Sequence, residues 1–329
     1  MPSEQAPLLE VSGLTKAFPM HVGRHKRKVP VVEGVSFSVR AGESVGLVGE
    51  SGCGKTTVGR TILGLYDLDG GTVSIEGHEV GPHDDALVHD TMQMVFQDPY
   101  TSLDPRQTIL EVLSEPLKVR RLAPRARWRE LAAAAVERVG LKADCLERYP
   151  FSLSGGQRQR IAIARALISG PRLVVCDEAV SALDVSVQAQ VLNMLAELQA
   201  AEGLAYLFIS HDLAVVRHLC SRVVVMYLGR VVEVANTDEL FSRPRHPYVE
   251  ALLSAVPVPD PRLARSRRRI VLDGELPPFT DLPRGCVFCT RCPHATERCR
   301  EERPALEPCG PGHECACLRW RELELRGIN

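Results

Sequence analysis

The chain has 329 residues, of which 45% are hydrophobic and 25% charged, and its formal net charge is −1 at pH 7. This length allows one large core of about 230 residues and a smaller appendage. The balanced charge argues against a general nucleic-acid binder. We interpret the local basic runs His21 to Lys28, Arg120 to Arg129 and Arg262 to Arg269 as solvated surface.

We expect neither a membrane-spanning segment nor a secretory leader in this sequence. It contains no run of about eighteen consecutive apolar residues, and its first residues, MPSEQAPLLEV, lack the charged-then-apolar layout of a signal peptide. We therefore expect the protein in the cytosol, or held by partners at the cytoplasmic side of the cell membrane. In that reducing compartment a group of cysteines is more often a metal site than a set of disulfides.

The first part of the chain has the pattern of strands. Leu8 to Glu76 is predicted to form short β segments, with an interrupting basic loop near Val22 to Pro30. The apolar run Ser44 to Val48 predicts a buried strand, and the sequence GESGCGKTT follows it. The residues after this loop have helical spacing, so a strand, a loop and a helix follow one another here.

Further along, a helical stretch and two more buried strands are predicted. The stretch from Pro99 to about Gly140 is Arg- and Ala-rich and helical, and the strands cover Leu173 to Cys176 and Tyr206 to Ile209. Strands that alternate with helices indicate a parallel sheet, whose chemistry lies at the carboxyl ends of its strands. The polar residues at these strand ends are Asp177, Glu178, Ser210 and His211.

The loop after the first buried strand matches the phosphate-binding pattern GxxxxGK[ST] in its expected strand–helix context. In such a loop, backbone amides turn inward around phosphates, Lys55 reaches the β and γ phosphates, and Thr56 offers its hydroxyl to Mg²⁺. The residues predicted to bind the nucleotide here are Gly49, Glu50, Ser51, Gly52, Cys53, Gly54, Lys55, Thr56 and Thr57.

Two further patterns indicate nucleotide chemistry when they occur together with this loop. Asp177 ends a hydrophobic strand and could hold Mg²⁺ through water, and Glu178 could orient or deprotonate an attacking water. By itself the Asp-Glu pair could equally be an ordinary loop start. The sequence LSGGQ, with Ser154 to Gln157, precedes a strong helix pattern, so free amides and a positive helix end lie there. By itself it could be a Gly-rich helix cap.

Together these motifs make the chain resemble the ATP-binding subunit of an ABC transporter, whose signature sequence is LSGGQ. The resemblance implies that Gln97 senses the γ-phosphate and Mg²⁺, and that His211 contacts the γ-phosphate. Phe18 would stack on adenine, unless it is a core residue at a strand end. The implied Mg²⁺ ligands are Thr56, Gln97 and Asp177; the implied catalytic residues are Glu178, His211, Lys55 and Gln97. Residues implied to act on the ATP of a second subunit are Ser154, Gly155, Gly156, Gln157 and Asp184.

The resemblance implies a fold class and an assembly. The fold would be α/β, a P-loop NTPase domain with a parallel-sheet core, an antiparallel β subdomain and a helical subdomain, plus a small Cys-rich extension. We expect the ATP-binding domain over residues 1–235, its helical subdomain at about 98–165, and the C-terminal region over 236–329. Two such subunits, identical or different, would close around ATP and reopen after hydrolysis.

Several passages resemble the oligopeptide/dipeptide importers in particular, and more closely the second of their two ATP-binding subunits. They are QMVFQDPYTSLDPR, CDEAVSALDVSVQAQVLNML, RHPYVEALLSAVP and the GCVF tail. The implied partners are a second ATP-binding subunit, two membrane permeases and an external substrate-binding protein, with no nucleic acid. Open alternatives are an importer of nickel or another small solute, a soluble ABC ATPase acting on nucleic acid or the ribosome, and an iron–sulfur electron carrier.

Seven of the eleven cysteines lie in a Pro-rich tail between Cys286 and Cys317, which is predicted to consist of loops and short helices. The spacing CxxCxxC is typical of iron–sulfur ligation, and zinc also accepts four thiolates. The resemblance implies a [4Fe–4S] cluster on four of these cysteines; zinc and a metal-free fold stay open. The implied ligands are Cys286, Cys292, Cys299 and Cys317, with Cys289 and Cys315 as alternates.

Overall fold

The computed structural model describes residues 6–23, 25–81, 84–98, 102–257 and 269–328. These residues form two compact units. The first takes its described residues from 1–8, 39–43 and 80–208, and the second from 9–38, 44–79 and 209–329. Pro99 to Thr101 of the QDPYTSLDPR passage and most of the Arg262 to Arg269 run lie outside the described residues.

The strands and helices have the following bounds. The strands are β1 (Leu9–Val22), β2 (His25–Val39), β3 (Ser44–Val48), β4 (Gly70–Ile75), β5 (His78–Glu79), β6 (Met92–Val95), β7 (Leu173–Asp177), β8 (Ala205–Ser210), β9 (Arg222–Tyr227), β10 (Arg230–Asn236), β11 (Glu307–Gly310) and β12 (His313–Cys315). The helices are α1 (Lys55–Ile62), α2 (Asp85–Thr91), α3 (Ile109–Val119), α4 (Trp128–Arg138), α5 (Gly155–Leu167), α6 (Val185–Glu202), α7 (Leu213–Leu219), α8 (Thr237–Ser242), α9 (Pro247–Ser254) and α10 (Glu297–Glu301). Short 3₁₀ segments occur at Arg125–Arg127, Ala143–Glu147 and Pro150–Ser152.

The first unit is built on parallel strands with helices between them. β6 and β7 pair in parallel from Met92 opposite Leu173 to Val95 opposite Cys176, and β7 lies between β6 and β8. A parallel pair needs a long crossover, and α3, α4 and α5 lie in this one. All five residues of β7 are buried, as its unbroken apolar run predicts. The predicted α/β fold class is thereby confirmed.

The second unit contains β3, β9 and β10 of a mixed sheet, and a separate antiparallel sheet. β3 pairs with β9 in parallel, and β10 pairs with β9 in antiparallel fashion. The antiparallel sheet has the strand order β2, β1, β4 and β5. Ser44–Val48 is fully buried and leads directly into the loop before α1, which confirms the predicted strand, loop and helix.

The basic loop expected near Val22 to Pro30 is a β-hairpin instead. β1 and β2 are adjacent, 14 and 15 residues long, and a turn at Gly23 in the left-handed region joins their ends. All four side chains from His25 to Lys28 are exposed. Backbone pairing stabilises this part of the hairpin without burial of its side chains. The sequence therefore lacks the apolar alternation that predicts a strand.

The cysteine-rich tail is more ordered than loops and short helices. β12 pairs with β10, with Glu233 opposite Cys315, and β11 pairs with β12. The tail thus extends a sheet edge whose backbone groups would otherwise lack partners.

The carboxylate of Glu233, on β10, is fully buried and hydrogen-bonded. It accepts hydrogen bonds from the backbone N–H groups of Arg245 and His246 and lies 2.8 Å from Nε2 of His313. Burial lowers the pKa of His246 to about 3.

Within the described ranges, none of the helices has the length and apolar character needed to cross a bilayer.

Candidate nucleotide-binding site

The phosphate loop folds around the amino group of Lys55. This side chain is only 4% exposed, and its Nζ donates to the backbone carbonyls of Gly49 at 2.8 Å and Glu50 at 2.9 Å. The ammonium therefore rests inside its own loop, held by carbonyls that a stronger acceptor can replace. Burial raises the pKa of the neighbouring Cys53 thiol, so that thiol is a packing group and not a reactive thiolate.

Gly49 is required by the close approach of the loop to β9. A Cβ atom at this position would lie 2.2 Å from the carbonyl oxygen of Met226, and its φ of 155° is a conformation that L side chains rarely adopt. The backbone can follow this path only with glycine. The loop thereby keeps its amides close to the N-terminus of α1, where a helix favours anions.

The rest of the loop lies nearer the surface. Ser51 and Gly52 are exposed, and Thr56 and Thr57 in the first turn of α1 are partly exposed. Phe18, at the end of the apolar part of β1, is also partly exposed, and its ring meets Tyr66 edge-on with centroids 5.3 Å apart. Because Phe18 is not fully buried, part of its ring is accessible for stacking on a base.

In the first unit, the structure brings Gln97 and Glu178 together. Nε2 of Gln97 donates to Oε2 of Glu178 at 2.9 Å. Glu178 follows β7 with a φ of 48°, in the left-handed region that few side chains adopt, and strain of this kind gathers at functional sites. Asp177 is buried at the strand end, with 3% exposure. These three residues form one polar group at the carboxyl end of β7.

The LSGGQ sequence forms the start of α5 in the same unit. Ser154 caps the helix: its Oγ accepts from the N–H of Gln157 at 3.3 Å, while Oε1 of Gln157 accepts from the N–H of Ser154 at 3.0 Å. A Cβ atom at Gly156 would lie 2.3 Å from Cγ1 of Val187, so glycine lets α5 approach α6. The cap satisfies only some amides of the first turn, and Ser154 itself is exposed.

Two further predicted residues are exposed at the ends of other elements. Asp184 caps α6, and the hydrogen bond from the N–H of Val187 lowers the pKa of its carboxyl. His211 follows β8, in the second unit, and is exposed directly before the Asp212 cap of α7. Both side chains are therefore accessible to a ligand or to another subunit.

Two residues of the second unit that contact the phosphate loop were not predicted from the sequence. The backbone N–H of Glu50 donates to the hydroxyl of Tyr248 at 2.8 Å, and Nη1 of Arg291 lies 2.7 Å from Oε2 of Glu50. These residues are 198 and 241 positions from Glu50 along the chain. No local pattern could reveal contacts across such distances.

Five cysteines of the tail line one small cavity in the second unit. The cavity measures about 20 Å³, and its lining includes Cys286, Cys289, Cys292, Cys299 and Cys317. Burial raises the pKa of Cys286 to about 12 and of Cys317 to about 11. Cys315 is not part of the lining and lies on β12 opposite Glu233. Among the described residues, no three His, Cys, Asp or Glu side chains are close enough to hold a single metal ion.

Comparison with known proteins places these features in a family. The sequence profile of the ABC transporter family matches residues 32–181, and the profile of the oligopeptide/dipeptide transporter C-terminal region matches residues 232–299. YkfD from Bacillus subtilis is 48% identical over 324 residues, covering 97% of this chain and 98% of its own. The oligopeptide transport ATP-binding protein AppF from the same species is 47% identical over 322 residues, or 96% and 98%.

A solved structure agrees with this placement. The ATP-binding cassette MJ0796, described as a dimer in a post-hydrolysis state bound to ADP and Pi, superposes with a TM-score of 0.61 at 27% identity. The match covers 70% of this chain and 98% of the cassette. The fold and its phosphate loop define a P-loop nucleotide hydrolase. The chain belongs to the ABC transporter ATP-binding family and is an ATP-hydrolysing transport ATPase.

Proposed function

We propose that this ATPase powers the import of oligopeptides or dipeptides through membrane permeases, from the cytoplasmic side of the membrane. The observation that carries the proposal is the match of residues 232–299 to the oligopeptide/dipeptide C-terminal region, joined to relatives such as AppF along nearly the whole chain. The substrate class comes from these relatives, because the ATPase itself has no need to touch the transported compound.

In this proposal Lys55 leaves its carbonyl partners and binds the β and γ phosphates, while Phe18 stacks on adenine. Glu178, oriented by Gln97, positions or deprotonates the attacking water, and His211 contacts the γ-phosphate. Mg²⁺, when bound, neutralises charge on the phosphates. Thr56, Gln97 and Asp177 would hold it, and their oxygens are the donors that this hard cation prefers.

Residues at two helix starts of the first unit would act on a second ATP-binding subunit, identical or different. Ser154, Gly155, Gly156 and Gln157 offer a capped but accessible helix start, and Asp184 lies exposed at the start of α6. ATP held by one subunit would meet this surface of the other, because helix N-termini favour anions. Closure and reopening of the dimer would then transmit the energy of hydrolysis.

An apolar surface beside the helix start supports an additional protein partner. Tyr149 and Phe151 stack with ring centroids 5.6 Å apart, and Phe151 is 70% exposed. Aromatic side chains are enriched at protein–protein interfaces relative to the rest of the surface. We assign this contact to the permeases, with the external binding protein completing the importer.

The test is peptide uptake in the native host after deletion of the gene. We expect uptake of labelled short peptides to fall and to return with the wild-type gene but not with Glu178→Gln, while uptake of free amino acids stays unchanged. The mutated gene must give the same amount of protein. Peptide uptake that survives deletion, together with a loss of nickel uptake, would identify a different cargo for the same ATPase.

We further propose that the tail holds a [4Fe–4S] cluster on Cys286, Cys292, Cys299 and Cys317. All four line one cavity, together with Cys289 as the alternate ligand, and thiolates are the ligands that such clusters use. A single zinc ion needs four sulfurs within about 2.3 Å of one point, and the described residues contain no such grouping. That absence applies to any metal group, so the cluster proposal rests on the four cysteines sharing one cavity, with zinc as the alternative occupant.

We expect anaerobically purified protein to be brown and to contain about four irons and four acid-labile sulfides per chain. Cys299→Ser should bleach the protein. Cys309→Ser is the matched control, because Cys309 belongs to the same tail but does not line the cavity, and it should keep the colour. Colourless protein with one zinc per chain would overturn the cluster proposal.

A further inference from the structure

Glu50 of the phosphate loop is held at two points by the C-terminal region of the chain. Its carboxylate Oε2 lies 2.7 Å from Nη1 of Arg291, and its backbone N–H donates to the hydroxyl of Tyr248 at 2.8 Å. The Arg291 side chain is 9% exposed and that of Glu50 is 24% exposed. Both contacts are therefore largely shielded from water. An ion pair in such a place is screened less than an exposed one.

Arg291 belongs to the loop that forms the cysteine cavity. It lies between Cys289 and Cys292, and Nη1 also approaches the hydroxyl of Tyr227 at 3.4 Å. Phe288, which is fully buried in the same loop, packs against Tyr227 and Tyr248 with ring centroids 5.2 and 5.4 Å away. One short segment therefore places both groups that hold Glu50.

The charge of Glu50 makes these contacts matter for an anionic ligand. A carboxylate in a loop that must receive a triphosphate repels it, and at short range in a partly dry site that repulsion is large. Arg291 neutralises this charge and, at 2.7 Å, fixes the position of the carboxylate. The Lys55 ammonium, whose partners are the carbonyls of Gly49 and Glu50, then does not have to compensate the Glu50 carboxylate as well.

We propose that Arg291 is a positioning residue for ATP, through which the cysteine-rich segment sets the charge and shape of the phosphate loop. The inference rests on the proposed function, since it requires the Lys55 loop to bind ATP. It goes beyond that function by making ATP affinity depend on the order of the cysteine loop. A change in that loop would act on ATP binding without touching the nucleotide.

The test measures MgATP affinity and steady-state hydrolysis of the full chain with substitutions at both ends of the ion pair. Arg291→Ala should raise the Kd and KM for ATP about tenfold, a typical size for coupling between sites, and leave kcat at saturating ATP nearly unchanged. Arg291→Lys keeps the charge and should stay within about threefold of wild type. Adding Glu50→Gln to Arg291→Ala should restore most of the lost affinity, because the uncompensated carboxylate is gone.

Matched controls separate this role from general stability. Arg298→Ala removes another arginine of the same tail, one paired with Glu302 on the surface, and should leave ATP affinity unchanged. If Arg291→Ala does not fold, the single variant Glu50→Gln still tests the proposal. It should bind MgATP about threefold more tightly than wild type. Wild-type affinity in folded Arg291→Ala, or no recovery in the double variant, would refute the proposal. Retained binding in Lys55→Ala would instead refute the ATP site itself.

Discussion

Replacing Glu178 by glutamine is expected to lower the rate of ATP hydrolysis by about 100- to 1,000-fold while ATP binding is retained, as removal of a general base predicts. The amide has nearly the shape of the carboxylate and can still accept the hydrogen bond that Gln97 donates at 2.9 Å. It cannot take a proton from water. Bound ATP should then persist, and the variant should accumulate as a closed dimer on MgATP in size-exclusion chromatography.

The matched control is Glu197→Gln, which makes the same change on the exposed face of α6 in the same unit. It should hydrolyse ATP at the wild-type rate and show no additional dimer. Turnover by Glu178→Gln within about threefold of wild type would remove Glu178 from the proposed mechanism. Loss of ATP binding in this variant would instead point to a structural role at the end of β7.

The parts of the fold that the sequence predicts well are those whose signal is local. Ser44 to Val48 and Leu173 to Cys176 are short, apolar and β-branched, and each is a buried strand. The loop from Gly49 to Thr56 is predicted by the spacing of its glycines and lysine. The structure shows why Gly49 is needed, because only glycine permits the close approach to Met226. The helix start at Ser154 likewise follows from a capping pattern of Ser and Gln three residues apart.

The parts that the sequence does not predict depend on contacts between distant segments. β12 has the sequence His-Glu-Cys, which carries no strand signal, and it is ordered by pairing with β10. The segment from His25 to Lys28 is exposed and charged, and it is a strand because it pairs with β1. The hold of Arg291 on Glu50 joins residues 241 positions apart. Tertiary context overrides local propensity in the two strands, and the ion pair depends on the fold that brings its partners together.

Replacing Lys55 by alanine is expected to weaken MgATP binding by about 100-fold or more, since the change removes charge-assisted hydrogen bonds to two phosphates. The buried ammonium now donates to the carbonyls of Gly49 and Glu50. Without it, those carbonyls lose their donor and the loop presents only its amides to the ligand. Lys55→Met tests the charge separately, because it preserves most of the volume of the side chain, and it should bind MgATP as weakly as Lys55→Ala.

Lys26→Met is the matched control, since Lys26 is exposed on β2 in the same unit, and its MgATP affinity should equal that of wild type in titration calorimetry. Tight binding by Lys55→Met would mean that shape, and not charge, selects the nucleotide. The two loop residues of opposite charge then give opposite results: loss of Lys55 weakens binding, whereas loss of the Glu50 carboxylate does not. That contrast is expected only if the electrostatic potential inside the loop governs affinity, with Arg291 keeping the contribution of Glu50 small.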